Sequence, residues 1–147
     1  YKEWSVSSHS YAQLSPVYLS LSSEINELSS GSNGDFCLRC HSPIGANLGE
    51  SPFMSNLDRH PTSREGITCV VCHRIDRDYN KRSGRLALVQ GSLLEPVYGP
   101  MGNEEMARVL DNTDQYRVVT EEGKPGRKVH KEVKKFAYIS PPIFCCT

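Results

Sequence analysis

Two pentapeptides in this chain, Cys37-Leu38-Arg39-Cys40-His41 and Cys69-Val70-Val71-Cys72-His73, share one form: two cysteines separated by two residues, with a histidine directly behind. That form is the attachment signature of c-type haem. Each of the two haem vinyl groups adds one thiol to give a thioether, and two intervening residues let a single turn of chain reach both. The histidine that follows falls beneath the ring and supplies a nitrogen to the iron. The candidate cofactor-binding residues are therefore Cys37, Cys40, Cys69 and Cys72, and the candidate proximal ligands are His41 and His73.

A structural zinc site built from the two C-x-x-C pairs is the competing reading. The stretch 41–68 between the pairs is longer than the usual zinc-ribbon separation, and zinc gives no reason for a histidine behind each pair. With 5 His among 147 residues, finding both by chance comes to about one in a thousand. Two unrelated disulfides or isolated thiols leave the histidines equally unexplained.

Low-spin electron-transfer haems require a sixth ligand on the far face of the ring, which His or Met supplies. Once His41 and His73 are assigned, His9, His60 and His130 are left as candidate distal ligands. Met54 and Met101, in loop-like stretches, are the rival donors, whereas Met106 falls at helical spacing with Val109 and Leu110 and reads as packing. Cys145 and Cys146 close the sequence before Thr147. They read as the opening of a further C-x-x-C-H, so that Cys145 carries one thioether of a third haem and three haems balance three spare histidines. A vicinal disulfide or two free thiols are the alternatives.

The elements that must position these residues are few. Ser15-Pro16 followed by Val17, Leu21, Ile25 and Leu28 supplies a cap, a first-turn proline and an apolar stripe, predicting a helix over about 16–29. The Ser/Gly/Asn run 29–34 ends it, and Phe36 to His41 forms the helical turn of the first attachment site. Residues 42–66 read as loop, with prolines at 43, 52 and 61. Residues 85–90 and 96–99 read as short extended pieces, and Asn103-Glu104-Glu105 opens a second helix with a cap and an acidic first turn.

Composition sets the bounds. The length suits one domain, residues 1–147, and the absence of an initial Met or apolar leader reads as a processed or truncated chain. No apolar run approaches the roughly 18 residues of a membrane span. Apolar residues make up only 37 %, with 9 Pro and 11 Gly, modest material for a core. Large flat macrocycles compensate, because each buries more apolar surface than any side chain. The zero net charge points to neither nucleic acid nor an anionic membrane. One basic run, Lys124, Arg127, Lys128, Lys131, Lys134 and Lys135, reads as a solvated face or as counter-charge for haem propionates and an acidic redox partner.

Several segments carry a family resemblance. Trp4-Ser5-Val6-Ser7-Ser8-His9 resembles the W-x-x-S-x-H element of multihaem cytochromes c related to cytochrome c554. Segments 35–45 and 65–74 are similar to the first and second attachment segments of that family, and 96–100 and 144–147 to later blocks, with Cys146 where the family usually has Gly. The resemblance spans nearly the whole chain, though its specific segments make up about a third of it. It implies mostly bis-His haems packed edge to edge, and His9 as a distal ligand.

The expected fold is mainly helical with much irregular structure around a haem-dominated core. The expected function is one-electron transfer outside the cytoplasm, periplasmic or at the cell surface, because covalent haem attachment takes place there. The expected partners are other redox proteins or cytochrome subunits, including assembly into a larger multihaem complex. Two alternatives accompany this reading: a module of a redox enzyme acting on a small nitrogen or sulfur compound, and a structural subunit of a cytochrome assembly.

Overall fold

The computed structural model describes residues 2–75, 86–92, 94–100 and 103–136. Their contacts fall into two compact units, the first running to Val71 and including Ile75 to Leu88, the second taking Cys72 to Arg74 and the chain from Val89 onward.

The first unit holds α1 (Lys2–Ser5), α2 (Pro16–Leu28), α3 (Leu38–His41), α4 (Pro43–Asn47) and α5 (Pro61–Arg64), and α6 (Cys69–His73) carries the chain out of it. Helix α2 begins as its sequence dictates: Ser15 caps it, its side-chain oxygen accepting from the Tyr18 N–H at 3.5 Å, and Pro16 fills the first position. Left-handed residues Ser30 (φ 50°) and Gly31 (φ 78°) end the turn that follows. The 42–66 stretch departs from the expected loop. Prolines 43 and 61 each open a helix at the position where their missing N–H costs nothing. Ser42, fully buried, caps α4 and donates to the Ser63 carbonyl at 2.8 Å, which ties α4 to α5.

A buried ion pair closes this region. Arg59 Nη1 donates to Glu50 Oε2 at 2.9 Å, while Glu50 Oε1 accepts from the His60 N–H at 2.9 Å and the Ser63 hydroxyl at 3.0 Å. Among the described residues the buried apolar side chains of this unit are Leu38, Val71 and Ile75.

The second unit holds β1 (Val97–Gly99), α7 (Glu104–Asp111), α8 (Thr113–Tyr116), β2 (Val118–Val119), β3 (Arg127–Lys128) and β4 (Val133–Lys135). β1 pairs with β4 and β2 with β3, both parallel, with Val97 opposite Val133 and Val118 opposite Arg127. The expected extended piece at 96–99 is β1, and α7 starts where Asn103 accepts from the Met106 N–H at 3.0 Å. Buried Arg74 organises the entry to this unit, donating to the Ser92 and Gln90 carbonyls at 2.8 and 3.3 Å.

The basic run is largely engaged within the chain. Lys124 pairs with Glu121, Lys131 with Glu95 and Lys134 with Glu132, while Lys128 donates to the backbone carbonyls of Glu121, Glu122 and Lys124. Among the described residues no helix is long and apolar enough to cross a membrane.

Candidate haem-attachment sites

The first motif is built on α3. Asp35 and Arg39, one helical turn apart, pair across its start, and the buried Leu38 anchors it to the unit. Cys37 is half-buried and Cys40 exposed, with the Asn33 side-chain amide donating to Cys37 Sγ at 3.4 Å. His41 Nδ1 lies 2.8 Å from the Ala12 carbonyl oxygen. A carbonyl only accepts, so Nδ1 carries the ring proton and Nε2 keeps its lone pair for a metal. The Tyr18 ring lies flat on the His41 imidazole, centroids 3.8 Å apart and planes 9° from parallel.

Beside Cys37 and His41 opens a groove of about 300 Å³ walled by Val17, Tyr18, Leu21 and Ile25 of α2. None of the α2 side chains is buried, and on its apolar face Val17 is 68 % and Leu21 53 % exposed. An apolar stripe of that kind normally faces a core. Here it faces the motif.

The second motif is built on α6, pinned by Val71 at 2 % exposure. Cys69 is exposed and Cys72 half-buried. His73 repeats the arrangement of His41: its Nδ1 lies 2.7 Å from the Tyr98 carbonyl oxygen, which again leaves the lone pair on Nε2.

The Trp4–His9 segment is tied to the approach to this motif. Trp4 Nε1 donates to the Ile67 carbonyl at 2.7 Å, and the Ile67 N–H donates to the His9 carbonyl at 2.9 Å. Gly66 makes that approach possible. Its φ is +72°, and a Cβ there would lie 2.7 Å from His9 O and 2.9 Å from Ala12 N. One turn, residues 9–12, thus presents His9 and holds His41 through the Ala12 carbonyl.

The His9 side chain is exposed and that of His130 half-buried. His60 caps α5, its Nδ1 accepting from the Thr62 N–H at 3.3 Å. In a neutral ring this puts the proton on Nε2, the tautomer opposite to that of His41 and His73. Burial pushes the neighbouring Glu50 carboxyl up, but the His60 N–H, Arg59 and the Ser63 hydroxyl together outweigh it and hold the carboxyl below its ordinary value. Met54 lines a cavity with Gln13, Tyr18 and Arg59, and Met106 sits half-buried on α7. Met101, Cys145 and Cys146 lie outside the described residues.

Motif spacing carried no sign of Tyr18, Gly66 or the Ala12 and Tyr98 carbonyls. Backbone carbonyls have no sequence signature, and Tyr18 lies beside, not within, the periodic apolar stripe of α2 at 17, 21, 25 and 28.

The residues present fit a c-type haem. No disulfide joins the four motif cysteines to one another, both following histidines hold Nε2 as the lone-pair nitrogen, and the first motif has an apolar wall beside it. Among the described residues no group of three or more His, Cys, Asp or Glu is placed to hold a metal ion, whereas a structural zinc site needs four converging ligands. A haem iron asks the protein for only one or two. No family model, curated protein or solved structure matches the chain.

Proposed function

We propose that the chain is a multihaem c-type cytochrome that passes electrons one at a time between redox partners outside the cytoplasm. The observation that carries this reading is the repetition of one ligand arrangement: in both motifs the histidine behind the second cysteine is fixed through Nδ1 by a backbone carbonyl, at 2.8 and 2.7 Å. Metal-bound histidines are typically oriented in this way, because the second nitrogen's hydrogen bond sets the tautomer and strengthens the ligand.

When bound, haem supplies an iron that alternates between ferric and ferrous states without breaking a bond. The chain does the rest. Cys37 and Cys40 would hold one macrocycle and Cys69 and Cys72 another; His41 and His73 would ligate through Nε2; the α2 groove beside Cys37 and His41 would supply apolar surface to the first. His9 and His130 are the distal ligands in this reading, and His60 joins them only if it gives up its cap. Cys145 would begin a third attachment site. The partners are redox proteins or further cytochrome subunits, and the setting is the periplasm or cell surface, where attachment occurs.

Optical and resonance spectra of the haem-loaded protein test the carrier role. Low-spin signals in both oxidation states, a redox titration broader than one single-electron step, and no change on adding carbon monoxide or nitrite are expected. Stoichiometric carbon monoxide binding with nitrite or hydroxylamine turnover would replace the carrier with the redox-enzyme module.

A further inference from the structure

The two proximal histidines share a hydrogen-bond arrangement but not a packing environment. His41 is held on its edge by the Ala12 carbonyl and on its face by the Tyr18 ring, at 3.8 Å and 9°. His73 is exposed, and no ring stacks on it among the described residues; the Tyr98 that supplies its carbonyl turns its own ring toward Phe136, at 5.5 Å and 48°.

A hydrogen bond to Nδ1 fixes which nitrogen carries the proton but leaves the ring free to rock about the line through that bond. A flat stack removes this remaining freedom. Tyr18 is itself well fixed: it belongs to the first turn of α2, where the Ser15 cap and Pro16 set the backbone. Burial pushes its phenol above the ordinary tyrosine range, with the Ser22 hydroxyl partly opposing the rise. The plane of an axial imidazole decides which iron d orbital its π system overlaps, and axial-ligand geometry with its surrounding hydrogen bonds is a principal lever on a haem's electronic state.

We infer that Tyr18 is a positioning residue for His41, locking the imidazole plane at the first attachment site, so that this haem differs electronically from the one held by Cys69 and Cys72. The inference rests on the cytochrome reading above. Two sites with motifs of the same form are thereby made unequal, which gives electrons a preferred order of residence.

The test uses the haem-loaded protein carrying Tyr18→Leu and Tyr18→Phe, with low-temperature resonance spectra, a redox titration, and the mass of the peptide bearing Cys37 and Cys40. Expected in Tyr18→Leu is a haem still attached to that peptide, one set of low-spin resonance values shifted or broadened, and one midpoint potential moved. The other haem's signals stay in place. Tyr18→Phe keeps the ring and should restore the original values. Tyr18→Met, which fills similar space without a ring, gives the same reading should Tyr18→Leu fail to accumulate. An attached haem with unchanged spectrum and potentials in the ring-less variants would overturn the inference. So would a Tyr18→Phe protein as perturbed as Tyr18→Leu, since the hydroxyl rather than the stack would then be responsible. Absence of haem from that peptide in the unsubstituted protein would instead overturn the cytochrome reading itself.

Discussion

Three of the five histidine rings are separated by what Nδ1 does. In His41 and His73 it donates to a carbonyl, and in His60 it accepts from a helix N–H. Scarcity alone makes all three spare histidines candidate ligands, with His60 the weakest of them, and does not show its cap, because a cap and a ligand use the same residue type. His60→Asn separates the two roles, since Asn is a strong N-cap but a poor haem ligand. The expected result is an unchanged low-spin spectrum and a stability change within about 1 kcal/mol, read by optical spectra and denaturant titration; a new high-spin haem would make His60 a distal ligand. Nearby, Glu50 and Arg59 have side chains 9 % and 2 % exposed, so removing one leaves a buried charge. Glu50→Gln should cost about 3–5 kcal/mol. Glu50 titrates from an ordinary value of 4.5 but is held lower in the fold. Its contribution is therefore present above pH 4.5 and lost as pH falls through the lowered value. Thermal melts of the unsubstituted protein should decline over that acid range, and the variant should lose this component.

Among elements, those with complete local signals were legible. Helix α2 ends within one residue of the boundary read from Ser15-Pro16 and the stripe at 17, 21, 25 and 28, and α7 begins at its Asn103 cap. Helices α4 and α5 were not legible, being four or five residues long, too short for periodicity, and held by the Ser42–Ser63 link across the fold. The turn 9–12 was likewise invisible as an element, although its Trp4 and His9 ends stood out. Gly66 is where that turn depends on a single residue. Gly66→Ala meets both a left-handed backbone and two backbone atoms closer than 3 Å, so a loss of about 1–3 kcal/mol is expected. Because the Ala12 carbonyl moves with the turn, the His41 ligand signals should shift as well. A destabilised variant with unchanged haem spectra would show that the turn does not control His41.

For the whole molecule, the ratio of buried to exposed apolar residues is the main consequence of the fold. Among the described residues Leu38, Val71, Ile75, Leu94 and Val118 are the buried hydrophobics, while thirteen large ones are exposed, including Leu21, Phe36 and Phe53. Along α2 the exposed apolar side chains form one wall of the groove at Cys37 and His41, and buried side chains this few among the described residues supply little of the apolar burial that offsets conformational entropy. The low apolar content already made this deficit legible in the sequence. What composition could not show was where the unfilled surface lies, because that depends on α2 turning its stripe toward Cys37 and His41. The chain with all four motif cysteines changed to Ser should therefore be expanded and protease-sensitive, without a cooperative thermal transition; a sharp transition would mean that the protein part folds on its own. Haem attachment at both motifs is tested by the intact and peptide masses of the chain made in a host that attaches c-type haem. One haem bonded to the peptide containing Cys37 and Cys40 and one bonded to that containing Cys69 and Cys72 are expected, both surviving acid-acetone extraction. Peptides of unmodified mass, or bound zinc in a protein with no Soret band, would contradict it.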